Sequence, residues 1–150
     1  MRREIESVAI AASCERVFDL IHDYSRRLEW DTMLREARLL GGAEAAGTGV
    51  RSLCVGRWRS GFVGMESEYV SFQRGKVAAI RMVNRPLFFD SFAATIRHAP
   101  IDERLSRVTY FYHFRARPRC LARLIEPLMN VMLRTEIRLR LSALKRYLET

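Results

Sequence analysis

The sequence has 150 residues, of which 49% are apolar and 10% aromatic, and this length and composition fit a folded domain and exclude a disordered chain. No apolar run approaches the roughly 18 to 20 residues that span a bilayer, and the first residues lack the apolar core of a signal peptide. Three widely separated cysteines without CxxC spacing argue against a disulfide framework. We therefore expect a single domain over residues 1–150, located in the cytoplasm.

The formal charge is +9, from 26 basic and 17 acidic residues, and it is concentrated near the C-terminus. Residues 115–150 carry 9 basic and 3 acidic side chains, whereas residues 1–114 carry 17 and 14. A basic face of this kind attracts nucleic acid or anionic lipid headgroups, and it is also typical of a solvated surface. Charge alone leaves these alternatives open.

The first third of the chain predicts a strand, a helix and a turn. Residues 4–10 alternate between two faces, which indicates a strand. Ser13 is a suitable N-cap for an amphipathic helix that reaches about Tyr24. Residues 28–33, LEWDTM, predict a short helical turn or loop, and residues 35–40 predict a weak strand.

The rest of the chain predicts a meander followed by one long helix. The sequence WRSG at 58–61 indicates a hairpin turn, PIDER at 100–104 indicates another, and the pattern becomes helical after Pro118. Consecutive strands with short turns favour an antiparallel sheet in an α+β protein, with the last helix on its concave face and a ligand gap between them. The strands are predicted at 49–56, 62–73, 76–84, 88–98 and 106–115.

These features resemble a known superfamily. The sequence S-x-x-x-V-F-D-L-I-x-D from Ser13 to Asp23, the lone Trp30 in EWD, the G-T-G turn at 47–49, the meander and the long last helix are similar to the START-like polyketide cyclase/dehydrase (SRPBCC) superfamily. The resemblance implies a helix-grip fold, in which a curved antiparallel sheet of about seven strands wraps around a long C-terminal helix and leaves a ligand cavity.

The resemblance also implies a place for Trp30. It would close one end of the cavity, with Glu29 and Asp31 pointing outward beside it. The alternative is that Trp30 simply plugs the end of the core. The coenzyme Q-binding and ribosome-associated branch has Tyr-Pro-x-Phe-x-Trp where this chain has a different sequence at 24–30.

Asp90 is the most unusual polar residue in the predicted sheet. Strict alternation places it on the face of Phe92, an otherwise apolar row. A carboxylate in a cavity must be paired, hydrated or given a raised pKa, and it could orient a ligand carbonyl or promote enolisation. The alternative is that Asp90 lies at the exposed start of its strand. The candidate ligand-binding residues are Trp30, Arg81, Asp90, Phe92, Tyr110, Tyr112, Leu128 and Met132.

No motif for metal or cofactor chemistry is present. The three histidines lie on different predicted elements without ligand spacing, and His22 is expected at the surface. Glu66 and Glu68 are expected to face solvent, and the sequence has neither a dinucleotide fingerprint nor a nucleophile elbow. We expect no metal and no cofactor, and the catalytic residues stay unassigned.

The last helix carries two apolar stripes on nearly opposite sides. Leu124 and Leu128 represent the first stripe, and Leu141 and Leu144 represent the second. Either the helix breaks near Thr135 or one stripe faces away from the sheet. We hypothesise that the second half turns outward, beside its arginines, toward a homodimer partner or an anionic membrane.

The pattern as a whole predicts binding or transport of a small hydrophobic ligand, such as a lipid, a polyketide or an isoprenoid-like molecule. The first alternative is a polyketide cyclase/aromatase that acts in the same cavity. The second alternative is a protein that associates with a ribosome or RNA through its basic helix, although nucleic acid is not the partner we expect.

Overall fold

The computed structural model describes residues 2–57 and 64–150, so the hairpin turn predicted at 58–61 lies outside the described residues. Within these residues, seven strands and three α-helices follow one another in the predicted order. No helix in the described part is long and apolar enough to cross a membrane. The elements are β1 (Arg2–Ile10), α1 (Cys14–His22), α2 (Arg27–Trp30), β2 (Leu34–Leu39), β3 (Arg51–Gly56), β4 (Gly64–Gln73), β5 (Val77–Met82), β6 (Phe89–Asp102), β7 (Leu105–Ala116) and α3 (Ala122–Glu149).

Helix α1 begins where the sequence predicts. The Ser13 hydroxyl accepts a hydrogen bond from the Arg16 backbone N–H at 3.2 Å, which satisfies one of the free donors of the first turn. The predicted apolar face is buried, with Val17 and Phe18 almost inaccessible to solvent. The helix ends at His22, earlier than predicted, and α2 follows after a short connection.

The seven strands form one antiparallel sheet in the order β1-β7-β6-β5-β4-β3-β2. Consecutive strands are neighbours from β2 to β7, as short hairpins require, and β1 pairs with β7 at the far edge. The β6–β7 turn is shorter than PIDER because Asp102 already pairs with Leu105. The Asp102 carboxylate accepts the Arg104 N–H at 2.8 Å and closes this tight turn.

Helix α3 packs against the sheet, with contacts to β1 and β7. This arrangement confirms the α+β fold with a curved antiparallel sheet around a long C-terminal helix. The buried apolar side chains of α3 are Met129, Leu133, Ile137, Leu141, Leu144 and Leu148.

The hypothesis that the second stripe of α3 faces outward was wrong, because the first stripe is the outward one. Leu141 and Leu144 are buried, whereas Leu124 and Leu128 are 72% and 74% exposed. The helix does not break near Thr135, whose hydroxyl donates to the Val131 carbonyl within the same helix. The second stripe faces the sheet because it continues toward the N-terminus through Met129 with helical spacing, so one face serves the whole helix.

Candidate ligand-binding site

A cavity lies between the concave face of the sheet and α3. Its volume is about 130 Å³, and part of it is open to solvent. Most of the wall is apolar, and this part is formed by Ile21, Met33, Leu34, Met65, Ala78, Ile80, Phe89, Phe92, Ile96, Met132, Leu133 and Ile137.

The remaining wall is rich in hydrogen-bond donors. Arg27 and Arg140 lie near Tyr110 and the Cys54 thiol, so these side chains form one cluster rather than isolated polar sites. We call the following set of lining residues the polar end: His22, Tyr24, Arg27, Ser52, Tyr69, Tyr110 and Arg140. Glu136 also lines the cavity and has interactions of its own.

Asp31 supports the polar end from behind, between two guanidinium groups. Its Oδ2 lies 2.9 Å from Arg27 Nε and 2.9 Å from Arg140 Nε, and its side chain is 0% exposed. Its Oδ1 accepts the Met33 N–H at 3.1 Å. Burial raises the pKa of Asp31, but the two guanidiniums outweigh burial and hold it below its usual range, so the carboxylate is ionised.

The two arginines use Asp31 differently. Arg27 Nε donates an aligned hydrogen bond to Oδ2, and its Nη1 donates to the Ile21 carbonyl at 3.2 Å. Arg140 Nε is at the same distance from Oδ2, but it is buried and has no aligned acceptor among residues 2–57 and 64–150. Arg140 is therefore held near Asp31 by charge while its donor capacity is only partly used.

A hydrogen-bonded chain of three side chains forms another part of the polar end. Tyr24 and Tyr69 hydroxyls lie 3.0 Å apart, and His22 Nδ1 lies 2.7 Å from the Tyr69 hydroxyl. The expectation that His22 is at the surface was wrong, because α1 turns this ring toward β4. Burial, helped by nearby Arg27, lowers the pKa of His22 to about 3, so the ring is neutral.

Three of the residues predicted for ligand binding line the cavity: Phe92, Tyr110 and Met132. Tyr112 lies on the same sheet face and is buried, with its ring 6.3 Å from that of Phe92, but it is not part of the cavity wall. Burial and the carboxylates of Glu4 and Glu6 raise the pKa of Tyr112 to about 12. Whether any of these side chains contacts a ligand stays a prediction.

Arg81 does not line the cavity. The preceding residue, Ile80, faces the cavity, and alternation along β5 therefore turns Arg81 to the outer face of the sheet. There its guanidinium lies 2.9 Å from the carboxylate of Glu68 on β4.

Asp90 lies at the start of β6 and outside the cavity wall, which agrees with the alternative that the sequence left open. An irregularity between Phe89 and Ser91 interrupts the alternation of β6, so Phe89 and Phe92 both point inward. Asp90 is excluded from the cavity wall and instead lies 3.4 Å from Arg85.

Leu128 also lies away from the cavity, because it belongs to the outward stripe of α3. Met132, one turn later, is half-buried and reaches the wall. The two residues differ by about 40° around the helix, at 100° per residue. This difference in angle is enough to place Leu128 in solvent and Met132 in the cavity wall.

Trp30 is 3% exposed and packs in the main core cluster, and it does not line the cavity. The guanidinium of Arg27, which does, lies 5.1 Å from the Trp30 ring. The prediction that Asp31 points outward was wrong, because it is fully buried between the arginines. Trp30 therefore lies behind the cavity wall and packs against Arg27, which forms part of that wall.

Sequence reasoning missed Arg27, Asp31 and Arg140. One signal was available, since Arg27 and Asp31 are four residues apart beside a buried tryptophan, the spacing of a helical ion pair. No signal links Arg140 to them, because they meet only through tertiary packing. In the described part of the chain, no group of three or more His, Cys, Asp or Glu side chains is arranged to hold a metal ion.

Comparison with known proteins agrees with this fold. The di-domain aromatase/cyclase BexL from the BE-7585A biosynthetic pathway aligns with a TM-score of 0.76 and 13% identity over 99% of this chain, and this chain spans about half of that protein, 47%. The Zhui aromatase/cyclase from Streptomyces sp. R1128 aligns with a TM-score of 0.81 and 13% identity, covering 99% of this chain and 93% of that one.

A START superfamily protein from Mycobacterium smegmatis aligns with a TM-score of 0.78 and 10% identity, covering 98% of this chain and 97% of that one. At such identities the similarity shows the fold alone. No curated protein matches the chain in sequence.

A family profile described as polyketide cyclase/dehydrase and lipid transport matches residues 3–149. This match confirms the resemblance to the START-like superfamily that the motifs indicated. The chain belongs to the polyketide cyclase/dehydrase and lipid transport family.

Proposed function

We propose that this protein binds and carries a small, largely apolar molecule in the cavity between the sheet and α3. The observation that carries the proposal is the cavity itself, whose wall is mostly apolar and which is partly open to solvent. Burying an apolar ligand there would release the water that such a wall orders. The family supports a ligand-binding or cyclase role. The cytoplasmic location stays a prediction.

A neutral fluorescent dye, N-phenyl-1-naphthylamine, tests the proposal. We expect saturable fluorescence enhancement with the wild-type protein and loss of binding in Met132→Trp, which fills the cavity. Leu128→Trp is the matched control, because it adds a similar side chain to the outward side of the same helix. Equal binding by all three proteins would place the dye elsewhere and contradict the proposal.

Native mass spectrometry of the freshly purified protein provides a second test. We expect a stoichiometric apolar adduct that can be extracted and identified, and that is absent from Met132→Trp. Retention of the same adduct by Met132→Trp would contradict binding in the cavity.

A cyclase is the second candidate, and the chain of His22, Tyr69 and Tyr24 favours it. Burial raises the pKa of Tyr69 well above its ordinary value, so its hydroxyl is a protonated donor next to a neutral imidazole. Such a pair can donate to a ligand carbonyl and relay a proton, as enolisation requires.

Exchange of the α-hydrogens of 2-decanone with deuterium oxide, followed by NMR, tests this candidate. A cyclase should accelerate the exchange above the rate in buffer, and Tyr69→Phe should abolish the acceleration while keeping dye binding. A rate equal to that in buffer would leave the carrier as the proposed function.

The outward stripe of α3 suggests where cargo could be exchanged. We define the outer stripe as Leu124, Leu128 and Val131, the last of which is 62% exposed. Exposed arginines at positions 119 and 123 lie in the preceding turn of the chain. We propose that the outer stripe docks on an anionic membrane, because apolar side chains beside arginines suit the headgroup boundary.

Co-sedimentation with phosphatidylcholine vesicles, with and without phosphatidylglycerol, tests the docking proposal. Binding should require the anionic lipid and should be lost in the double variant Leu124→Glu/Leu128→Glu, but not in the control Val70→Glu on the sheet. Vesicle-independent dimerisation that the double variant abolishes would instead make the stripe a homodimer interface and overturn membrane docking.

The ribosome or RNA alternative stays a prediction. Two of the arginines on which it relies already have acidic partners on β1. Arg138 Nε lies 2.9 Å from Glu6, and Arg134 lies within 4 Å of both Glu4 and Glu6.

A further inference from the structure

We infer that the ligand carries a carboxylate, which Arg140 and the tyrosine hydroxyls of the polar end bind while the rest of the molecule fills the apolar part of the cavity. This inference rests on the proposed function, because it names the class of molecule that the same cavity takes.

The ion cluster of Arg27, Arg140 and Asp31 holds two guanidiniums and one carboxylate. Glu136 also lines the cavity and has interactions of its own. One buried carboxylate, Asp31, lies between Arg27 and Arg140, and its second oxygen is occupied by the Met33 N–H. A buried guanidinium needs close hydrogen-bonded partners, since its desolvation is costly. Asp31 supplies an aligned partner to Arg27 and only a charge to Arg140.

Arg140 is also placed to reach a ligand. It lines the cavity, as Arg27 does, whereas Asp31 lies behind the wall. Its side chain is 18% exposed, and its Nε donor has no aligned acceptor in the described part of the chain. A planar oxyanion is the group that pairs with guanidinium donors through parallel hydrogen bonds.

The neighbouring hydroxyls strengthen the bias toward acceptors. Tyr24, Tyr69 and Tyr110 all line the cavity, and burial raises the pKa of each, so all three hydroxyls stay protonated. The hydrogen bond between Tyr24 and Tyr69 uses one of their two protons, so at most one of this pair and the Tyr110 hydroxyl can donate to a ligand. A ligand end that offers only acceptors therefore fits this wall better than one that must itself donate.

The same chemistry ranks three ligands of equal chain length. Decanoate presents a charged acceptor to Arg140, 1-decanol presents a neutral hydroxyl, and decylamine presents a cation to two guanidiniums. Charged hydrogen bonds are about twice as strong as neutral ones, and an unpaired like charge is repelled. We expect affinity to fall in the order decanoate, 1-decanol, decylamine.

Displacement of N-phenyl-1-naphthylamine from the wild-type protein by these three compounds tests the inference. We expect decanoate to displace the dye at about one-tenth of the concentration that 1-decanol requires. In Arg140→Gln, the affinity for decanoate should fall about tenfold or more, while the affinities for the dye and for 1-decanol should change by less than about twofold.

Arg138→Gln is the matched control. It removes the same charge from the same helix, but its side chain is exposed and pairs with Glu6 rather than lining the cavity. Decanoate binding should not change in this variant. An equal loss in Arg138→Gln and Arg140→Gln would mean that net charge attracts decanoate, which would overturn the inference.

The two proposals fail in different ways. Equal displacement by decanoate and 1-decanol, with dye binding that Met132→Trp still abolishes, would overturn the carboxylate and leave the carrier standing. Absence of dye binding in the wild-type protein would overturn the carrier itself. Should Arg140→Gln not fold, Arg140→Lys and Tyr110→Phe test the same preference for a carboxylate. In each variant the affinity for decanoate should fall more than the affinity for 1-decanol.

Discussion

Arg138 and Arg140 are two residues apart on α3 and have nearly opposite environments. Each has its Nε 2.9 Å from a carboxylate oxygen, Arg138 from Glu6 and Arg140 from Asp31. Arg138 is 62% exposed and its pair lies at the sheet edge, whereas Arg140 lines the cavity at 18% exposure and Asp31 is fully buried behind the wall. Equal distances therefore describe unequal interactions, because water screens the first pair and not the second.

The largest effect should come from removing the buried carboxylate. Asp31→Asn leaves two buried guanidiniums without a counterion, and we expect it to lower the free energy of unfolding by about 3–5 kcal/mol. Glu6→Gln makes the same charge change at the exposed pair and should cost less than about 1 kcal/mol. Urea denaturation at neutral pH measures both. Similar losses in the two variants would remove the distinction between the two pairs.

A buried group without any charged partner extends the comparison. His98 is buried, its ring nitrogens have no hydrogen-bond partner among the described residues, and burial lowers its pKa to about 4. The unfolded chain protonates this histidine below about pH 6.5, while the folded protein stays neutral until about pH 4. The free energy of unfolding should therefore fall as the pH is lowered through this window.

From about pH 7.5 to about pH 5, His98 should account for a fall of about 2 kcal/mol in the free energy of unfolding. His98→Leu should remove that part of the dependence. The pKa of His22 is also lowered, to about 3, so this residue should still make the free energy of unfolding fall with pH in the His98→Leu variant. Urea denaturation at both pH values checks the difference, and an unchanged pH dependence in His98→Leu would be the contrary result.

A smaller effect should follow from Arg140→Gln. Asp31 then keeps its aligned bond to Arg27, and the cluster becomes one-to-one in charge. We expect a loss of about 1 kcal/mol in the free energy of unfolding, well below that of Asp31→Asn. The double variant Asp31→Asn/Arg140→Gln should recover part of the Asp31→Asn loss. A double variant less stable than either single one would show that the two side chains do not compensate each other.

The smallest effect should come from Arg138→Gln. The exposed pair with Glu6 contributes less than about 1 kcal/mol to the free energy of unfolding, and added salt should reduce even that. Urea denaturation at low and high ionic strength measures it. A salt-insensitive loss would mean that the Arg138 stem stabilises the fold by packing rather than by charge.

The predictable part of the site consists of residues on uninterrupted elements. Phe92 and Tyr110 line the cavity as alternation indicates, whereas Met132 lines it although Leu128, predicted on the same helical stripe, faces outward. Alternation did not predict the face of Asp90, because an irregularity between Phe89 and Ser91 interrupts the alternation, and no residue type marks this irregularity in the sequence. The prediction that Arg81 binds the ligand placed it on the wrong face of the sheet, because a shift of one residue along a strand moves a side chain to the opposite face.

The sequence by itself determined the order of the elements, the N-cap at Ser13, the antiparallel meander and the long last helix, because these follow from local periodicity and turn chemistry. Tertiary structure alone decided which stripe of α3 faces the sheet and how α2 and α3 meet around Asp31. The physical reason is that both outcomes depend on contacts between residues more than one hundred positions apart, whose energies no local pattern contains.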